Sequence, residues 1–134
     1  MNKRLFLCLM AFTLIFSSMV IAKVQVGEVM EEGFETRHPY EAKKGLVWEK
    51  VFHHDNAGYI AIHFSSFDLA KGDYVEVCSP DGQYVYTYLG QGKKVFGEEE
   101  RISSFWATHI PGSTAVVRLI SKNPRSAFGF TIDK

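Results

Sequence analysis

Cysteine is scarce in this sequence, with two residues in a chain of 134. Cys8 lies within an apolar run near the amino terminus, so Cys78 has no partner for a disulfide within the folded part of the chain. Without a second cysteine nearby, Cys78 is better explained as a small buried side chain than as a reactive thiol. The sequence leaves open whether it pairs with a second chain.

Catalytic motifs are also lacking. There is no Gly-x-Ser-x-Gly elbow and no Gly-Asp-Ser-Gly-Gly run, the usual traces of a nucleophilic hydrolase. A catalytic alternative would require His54, Asp55 and Glu76 to converge in one cleft, because a general base must lie within hydrogen-bond reach of its partner. We therefore expect a protein that is not an enzyme, with no catalytic residue and no cofactor.

Metal-ligand sets such as His-Glu-x-x-His and Cys-x-x-Cys do not occur, nor does a glycine-rich phosphate loop. His53 and His54 are adjacent, and neighbouring strand residues point to opposite faces, so a solvated turn is favoured over a metal cluster. The three glutamates at residues 98–100 are typical of a solubilising loop. His63 stands alone on the polar face of its strand and is expected at the surface. The prediction is that no metal is bound.

One long apolar run is present, at residues 5–20, after the basic start that contains Lys3 and Arg4. The small residue Ala22 follows shortly after it. This pattern predicts a secretory signal peptide over residues 1–22, and hence a secreted or periplasmic product. An uncleaved membrane anchor is the alternative, since the run is close to the length of about 20 residues that spans a bilayer.

An excess of charge of either sign is missing as well. Without residues 1–22 the chain keeps 112 residues, with 13 basic and 15 acidic side chains, a formal charge near −2. This length suits one domain, residues 23–134. The charge argues against nucleic acid or an anionic membrane as the main partner, and beyond the signal peptide no membrane association is expected.

The sequence is rich in short segments in which apolar and polar residues alternate, the period of half-buried strands. Residues 58–89 contain three such segments, separated by Lys-Gly-Asp at 71–73 and by Ser-Pro-Asp-Gly at 79–82. Asp-Gly is a strong hairpin signal because these residues tolerate positive φ. This stretch predicts three successive strands.

Further strands are expected on both sides of this stretch. Residues 46–52 place Leu46 on the same side as Trp48, which is expected in the core. Residues 103–110 and 113–121 form a predicted pair joined by Pro-Gly at 111–112. The inward side chains of that pair are predicted to be Trp106, Ile110, Ala115, Val117 and Leu119. In the last strand Phe128, Phe130 and Ile132 alternate with Gly129 and Thr131. About seven short strands and no helical periodicity indicate an all-β fold, an antiparallel β-sandwich.

Tyr84, Tyr86 and Tyr88 form the most suggestive surface. Period two places all three rings on one face of one strand. Such a stripe could stack against sugar rings or anchor a protein partner, because tyrosine offers a large contact area with a polar tip. The alternative is that the three rings belong to the core face or are covered by a neighbouring strand.

Several segments together resemble a divergent CUB-type domain, a jelly-roll sandwich of extracellular proteins. They are Glu-Thr-Arg-His-Pro-Tyr at 35–40, Trp48, the segment 60–69 ending in Phe-Asp-Leu, Gly-Asp-Tyr-Val-Glu-Val at 72–77, and Phe-Gly-Phe at 128–130. The resemblance covers about residues 33–132. The chain is also similar to CUB-like segments beside secreted trypsin-like peptidases, where Ser-Pro-Asp-Gly and a Phe-Trp-Ala strand like that at 105–107 recur.

The resemblance implies a non-catalytic module that binds a protein or a carbohydrate. A calcium-binding subset of the family uses acidic residues at set positions, and of these Asp73 alone is matched here, since Ala70 replaces a glutamate. We therefore expect a secreted binding domain that recognises a protein or glycan. The alternative is an accessory of a secreted serine peptidase, acting as its chaperone, inhibitor or targeting subunit.

Overall fold

The structure is a computed structural model that describes residues 27–97 and 99–134. The predicted signal peptide, residues 1–22, lies outside the described residues. The described chain is all β, in twelve strands. They are β1 (Phe34–Glu35), β2 (Gly45–His53), β3 (Tyr59–Ile60), β4 (His63–Asp68), β5 (Tyr74–Cys78), β6 (Val85–Leu89), β7 (Lys93–Lys94), β8 (Arg101–Ile102), β9 (Phe105–Trp106), β10 (Ile110–Pro111), β11 (Thr114–Ser121) and β12 (Gly129–Ile132).

Eight of these strands form two four-stranded antiparallel sheets that pack against each other. The first sheet has the order β1-β12-β4-β9 and the second has the order β2-β11-β5-β6. The short pairs β10-β3 and β7-β8 complete the structure. The predicted antiparallel β-sandwich is confirmed at this level. Within residues 27–97 and 99–134, no helix has the length and hydrophobicity needed to cross a membrane.

The core lies between the two sheets and is rich in aromatic rings. Phe64 on β4 is fully buried and contacts the rings of Phe105 in its own sheet and Tyr88 in the second sheet. Trp48 on β2 meets Phe130 on β12 edge to face at 5.1 Å. Edge-to-face rings at this separation attract each other through their quadrupoles, in addition to the gain from burying their area. The two sheets are therefore joined through aromatic contacts.

The hairpin between β5 and β6 forms where the sequence predicts it. Gly82 has a positive φ of 72°. Ser79 Oγ donates a 2.5 Å hydrogen bond to Asp81 Oδ1, which also accepts from the Gln83 N–H at 3.0 Å. The Ser79 hydrogen bond is the main reason that the pKa of Asp81 is lowered. Local polar contacts thus close the turn, as is common for aspartate at such positions.

One predicted strand pair is wrong, and a second pair of successive strands is divided between the two sheets. Strands β4 and β5 follow each other in the chain but lie in different sheets. The predicted strand 103–110 is broken into β9 and β10, and neither pairs with β11, which instead lies between β2 and β5. Pro-Gly at 111–112 is therefore a crossing between sheets and not a hairpin turn.

Three side chains from the apolar sides of the predicted strands lie at the surface. Trp106 is exposed because β9 turns its Phe105 side to the core. Phe128 precedes β12 and stacks on the His38 ring at 3.8 Å. A register shift in the β2–β11 pairing leaves Val47 as an extra residue, so that Leu46 points outward while Trp48 packs on the core. The predicted inward positions of Ile110 and of the three β11 residues are confirmed, and Phe130 and Ile132 are buried as well.

Candidate functional site

A shallow cleft of about 530 Å³ lies beside the free edge of the first sheet. We call it the aromatic cleft. Strands β4 and β9 form its floor, and the β7–β8 hairpin forms its wall. The lining side chains used below are those of His63, Lys93, Lys94, Phe96, Ile102 and Trp106.

Trp106 is the central ring of the aromatic cleft. It is the cross-strand partner of His63, and the two ring centroids are 4.8 Å apart. Phe105, its neighbour in β9, is buried between the sheets, so strand alternation turns the Trp106 indole outward with 44% of its surface exposed. Burial of Phe105 therefore fixes the direction in which Trp106 points.

His63 is held in place by the end of the chain. Its Nδ1 lies 2.5 Å from Asp133 Oδ1, and its backbone N–H donates to the Lys134 carbonyl oxygen at 2.8 Å. Asp133 in turn donates its N–H to the His63 carbonyl oxygen at 3.3 Å. The carboxyl group fixes the orientation of the imidazole, and the imidazole supports the indole of Trp106. The floor of the cleft is thus preorganised, which lowers the entropy lost on binding.

The wall of the cleft adds positive charge and apolar surface. Lys93 Nζ donates to the Trp106 carbonyl oxygen at 3.3 Å, which ties the hairpin to the edge strand. Lys94 is exposed beside it. The hairpin itself is closed by Arg101, whose Nη1 donates to the Gly92 carbonyl oxygen at 2.9 Å. The Phe96 ring is fully exposed. The cleft therefore offers two aromatic faces and two ammonium groups to a ligand.

The pairing of an imidazole with a carboxyl group also occurs in hydrolases, where the imidazole is hydrogen-bonded to a nucleophile. Ser104 lines the same cleft. Among the described residues, His63 makes its side-chain hydrogen bond to Asp133 alone, and no hydroxyl or thiol group bonds to its Nε2. In this arrangement His63 and Asp133 position Trp106.

The three groups of the catalytic alternative are not brought together. His54 pairs with Glu32 at 3.2 Å, whereas Glu76 lies in the middle of β5. In the strand register, Glu76 lies opposite Arg118 of β11, and His53 lies opposite Thr114 of β11. Thr114 and Arg118 are four residues apart. At about 3.3 Å per residue, roughly 13 Å separates these two positions along β11. The predicted turn after His53 is confirmed, with Asn56 at a positive φ of 61°.

The tyrosine stripe, formed by Tyr84, Tyr86 and Tyr88, follows the face of β6 that is directed towards the core. Tyr86 and Tyr88 pair across the strands with Val77 and Val75, both fully buried. Tyr88 is buried and donates through its hydroxyl to Thr108 Oγ1 at 3.4 Å. Tyr86 is half-buried against the core, and Tyr84 exposes 41% of its surface beyond the strand. A binding role for the stripe stays a prediction, and only Tyr84 offers a ligand much of its ring.

Asp73, the single match to the calcium-binding subset, is fully buried. Its Oδ2 accepts from the Tyr40 hydroxyl at 2.6 Å, and its Oδ1 accepts from the Lys122 N–H at 2.8 Å. Both oxygens therefore serve to join two loops. In the part of the chain that the structure describes, no three His, Cys, Asp or Glu side chains lie close enough to hold a metal ion together.

Sequence reasoning missed the residues of the aromatic cleft. Trp106 was expected inside, and the contact between His63 and Asp133 joins positions 70 residues apart, which no local pattern encodes. For Phe96 a signal was present in the sequence, because it lies between the two lysines at 93–94 and the three glutamates at 98–100, and a ring in so polar a segment is not easily buried. Comparison with known protein families, curated proteins and solved structures found no match for this chain.

Proposed function

We propose that this protein is an exported, non-enzymatic binding domain that recognises a protein or a glycan through the aromatic cleft. The observation that carries the proposal is the outward-facing indole of Trp106, fixed from below by His63 and Asp133 and flanked by Lys93. Exposed rings on a rigid strand are the usual means of holding a sugar face or an apolar side chain. The predicted signal peptide and the CUB-like jelly-roll pattern support an extracellular or periplasmic role.

The side chains that line the cleft indicate which chemical class of ligand it would bind. Two lysines beside the rings favour a ligand that has an acidic group next to an apolar or sugar face. The cleft is open and shallow, which suits a polymer chain or a protein surface better than an enclosed small molecule. A secreted peptidase would be one case of such a protein ligand.

The proposal is tested by screening the purified protein against arrays of neutral and acidic glycans and by capturing exported proteins on it. Trp106→Ala should lower affinity for the ligand found by at least about tenfold, since aromatic anchors of this kind contribute about 2 kcal/mol or more. Phe128→Ala removes an exposed ring elsewhere and is the matched control, while Tyr84→Ala tests the tyrosine stripe. A ligand whose affinity is unchanged in Trp106→Ala would exclude the cleft, and turnover of a substrate would exclude the proposed function.

A further inference from the structure

The outer face of the second sheet has an unusual pattern of exposed side chains. Four aliphatic residues on the two edge strands lie at its corners, each between 48 and 52% exposed: Leu46, Val51, Val85 and Leu89. Solvent-facing positions of an antiparallel sheet are usually polar. The strand register connects these corners in two rows. One row runs from Val51 to Val85 through Val116 and Cys78, which are themselves buried, and the other runs from Leu46 to Leu89 through the half-buried Ile120 and Tyr74.

A charged row separates the two apolar rows. Its centre is Arg118, whose Nε donates to Glu49 Oε2 at 2.6 Å. On its other side Arg118 has Glu76 as its cross-strand neighbour. Among the described residues Glu76 has no basic group within 4.0 Å. The hydrogen bond to Glu49 is the main reason that the pKa of Arg118 is raised, and the negative charge of Glu76 adds to this effect. The face therefore presents one guanidinium with a carboxylate on either side, Glu49 bonded to it and Glu76 not, between two apolar rows.

This pattern is complementary to itself. A two-fold axis that runs parallel to the strands, between β11 and β5, places β11 of one copy opposite β5 of the other and β2 opposite β6. Like rows then meet, so Val51 faces Val85 and Leu46 faces Leu89 of the second copy. Arg118 faces Glu76 of the second copy, and the same contact is made twice. An axis across the strands would instead oppose Arg118 to itself, which is unfavourable.

We propose that the outer face of the second sheet is the interface of a homodimer, with Arg118 of each copy paired to Glu76 of the other. Strands β2 and β11 have nine and eight residues, and β5 and β6 have five each. At about 3.3 Å per residue and about 4.8 Å per strand, the face covers roughly 430 Å² on each copy. The total of about 860 Å² is below the size of a stable specific interface, so the dimer is weak and transient.

The dimer leaves both aromatic clefts free, because each cleft lies on the first sheet, on the opposite side of the sandwich. Two clefts facing away from each other let one dimer bind two sites on one flexible polymer or cross-link two ligand molecules. Such bivalence raises the apparent affinity well above that of one cleft. The dimer itself does not depend on the proposed function, since it is measured without any ligand.

Sedimentation equilibrium of the purified full-chain product, from micromolar to millimolar concentration, tests the proposal. The expected result is a monomer–dimer equilibrium that Val85→Lys weakens by about tenfold or more, because a charge would be buried against Val51 of the second copy. Val29→Lys, a similarly exposed valine outside the face, should leave the equilibrium unchanged. A chain that is monomeric throughout, or a dimer equally tight in Val85→Lys, would overturn the proposal.

A charge exchange tests the geometry. Arg118→Glu should abolish dimerisation by placing two carboxylates opposite each other, and the double variant Arg118→Glu with Glu76→Arg should restore it. Circular dichroism establishes that both variants fold. If both fold and the double variant stays monomeric, the proposed axis is wrong. If either fails to fold, the comparison of Val85→Lys with Val29→Lys decides the matter.

Discussion

The Tyr40 hydroxyl donates a 2.6 Å hydrogen bond to Asp73 Oδ2, and both side chains are buried. The same hydroxyl oxygen accepts from the Ala70 N–H at 2.9 Å. Asp73 also accepts from the Lys122 N–H. A single buried contact thus joins the loop before β2 to the loops that flank β5 and follow β11, and it fixes one end of the sandwich.

Tyr40→Phe should lower the free energy of unfolding by about 2–4 kcal/mol. The substitution leaves the Ala70 N–H and one Asp73 oxygen without their partner, and each buried unsatisfied group costs about 1–3 kcal/mol. Urea unfolding measures the change. Tyr84→Phe, at an exposed tyrosine, is the control and should change stability by no more than about 0.5 kcal/mol. Equal stabilities of the two variants would contradict the role assigned to this contact.

The same contact predicts a dependence on alkaline pH. Burial, followed by the hydrogen bond to Asp73, raises the pKa of Tyr40 well above its usual value of 10. Between the unfolded and the folded pKa, the unfolded chain releases the Tyr40 proton while the folded protein keeps it. The free energy of unfolding therefore falls as pH rises above about 10. Unfolding measured from pH 8 to about 11 should show a smaller decrease in Tyr40→Phe than in the unchanged protein, and parallel decreases would refute the assignment.

Gly129→Ala should be much more destabilising than Gly112→Ala. Both glycines have similar positive φ, 102° and 94°, so backbone strain of about 1–2 kcal/mol is common to both substitutions. At Gly129 a Cβ would also lie 2.0 Å from Thr36 Oγ1, whereas at Gly112 nothing lies within 4 Å. Thr36 Oγ1 accepts from the Phe130 N–H at 3.1 Å, so its displacement disturbs the pairing of β12. Thermal unfolding of the two variants gives the difference, and equal losses would show that strain alone matters.

Fluorescence quenching by acrylamide checks the orientation of Trp106. The chain has two tryptophans, so each single Trp→Phe variant reports on the other ring. Trp48→Phe, which keeps the exposed Trp106, should be quenched several times more strongly than Trp106→Phe, whose remaining ring packs on Phe130. A more strongly quenched Trp106→Phe would mean that β9 faces the other way and that the aromatic cleft does not exist as described.

Cys78 should react slowly with thiol reagents in the folded protein. Its thiol is buried, and burial raises its pKa above the usual value, so little thiolate is present at pH 8. Measured in a Cys8→Ser chain, labelling should be at least about a hundredfold slower than in the same chain unfolded by guanidinium. Fast labelling of the native protein would show that the outer face of the second sheet opens readily.

Local patterns predicted most of the strands, but they seldom predicted which strands would pair in a sheet. The β5–β6 hairpin was predictable because residues 79–82 determine their own turn. The inward set Ala115, Val117 and Leu119 was predictable because eight residues of β11 give four full periods. Trp106 could not be placed, because a two-residue strand defines no period and the burial of Phe105 decided its direction. Leu46 was misplaced because the extra residue Val47 reverses the alternation that precedes Trp48.

The sequence by itself determined that this chain forms short antiparallel strands, since alternation and turn residues act over a few positions. It also determined that Tyr84, Tyr86 and Tyr88 share one side of a strand. Only the tertiary structure decided that this side faces the core, because β6 pairs with β5 through Val75 and Val77. It likewise decided that His63 meets Asp133 beside Trp106, a contact that depends on which strands become neighbours and is therefore encoded in no single segment.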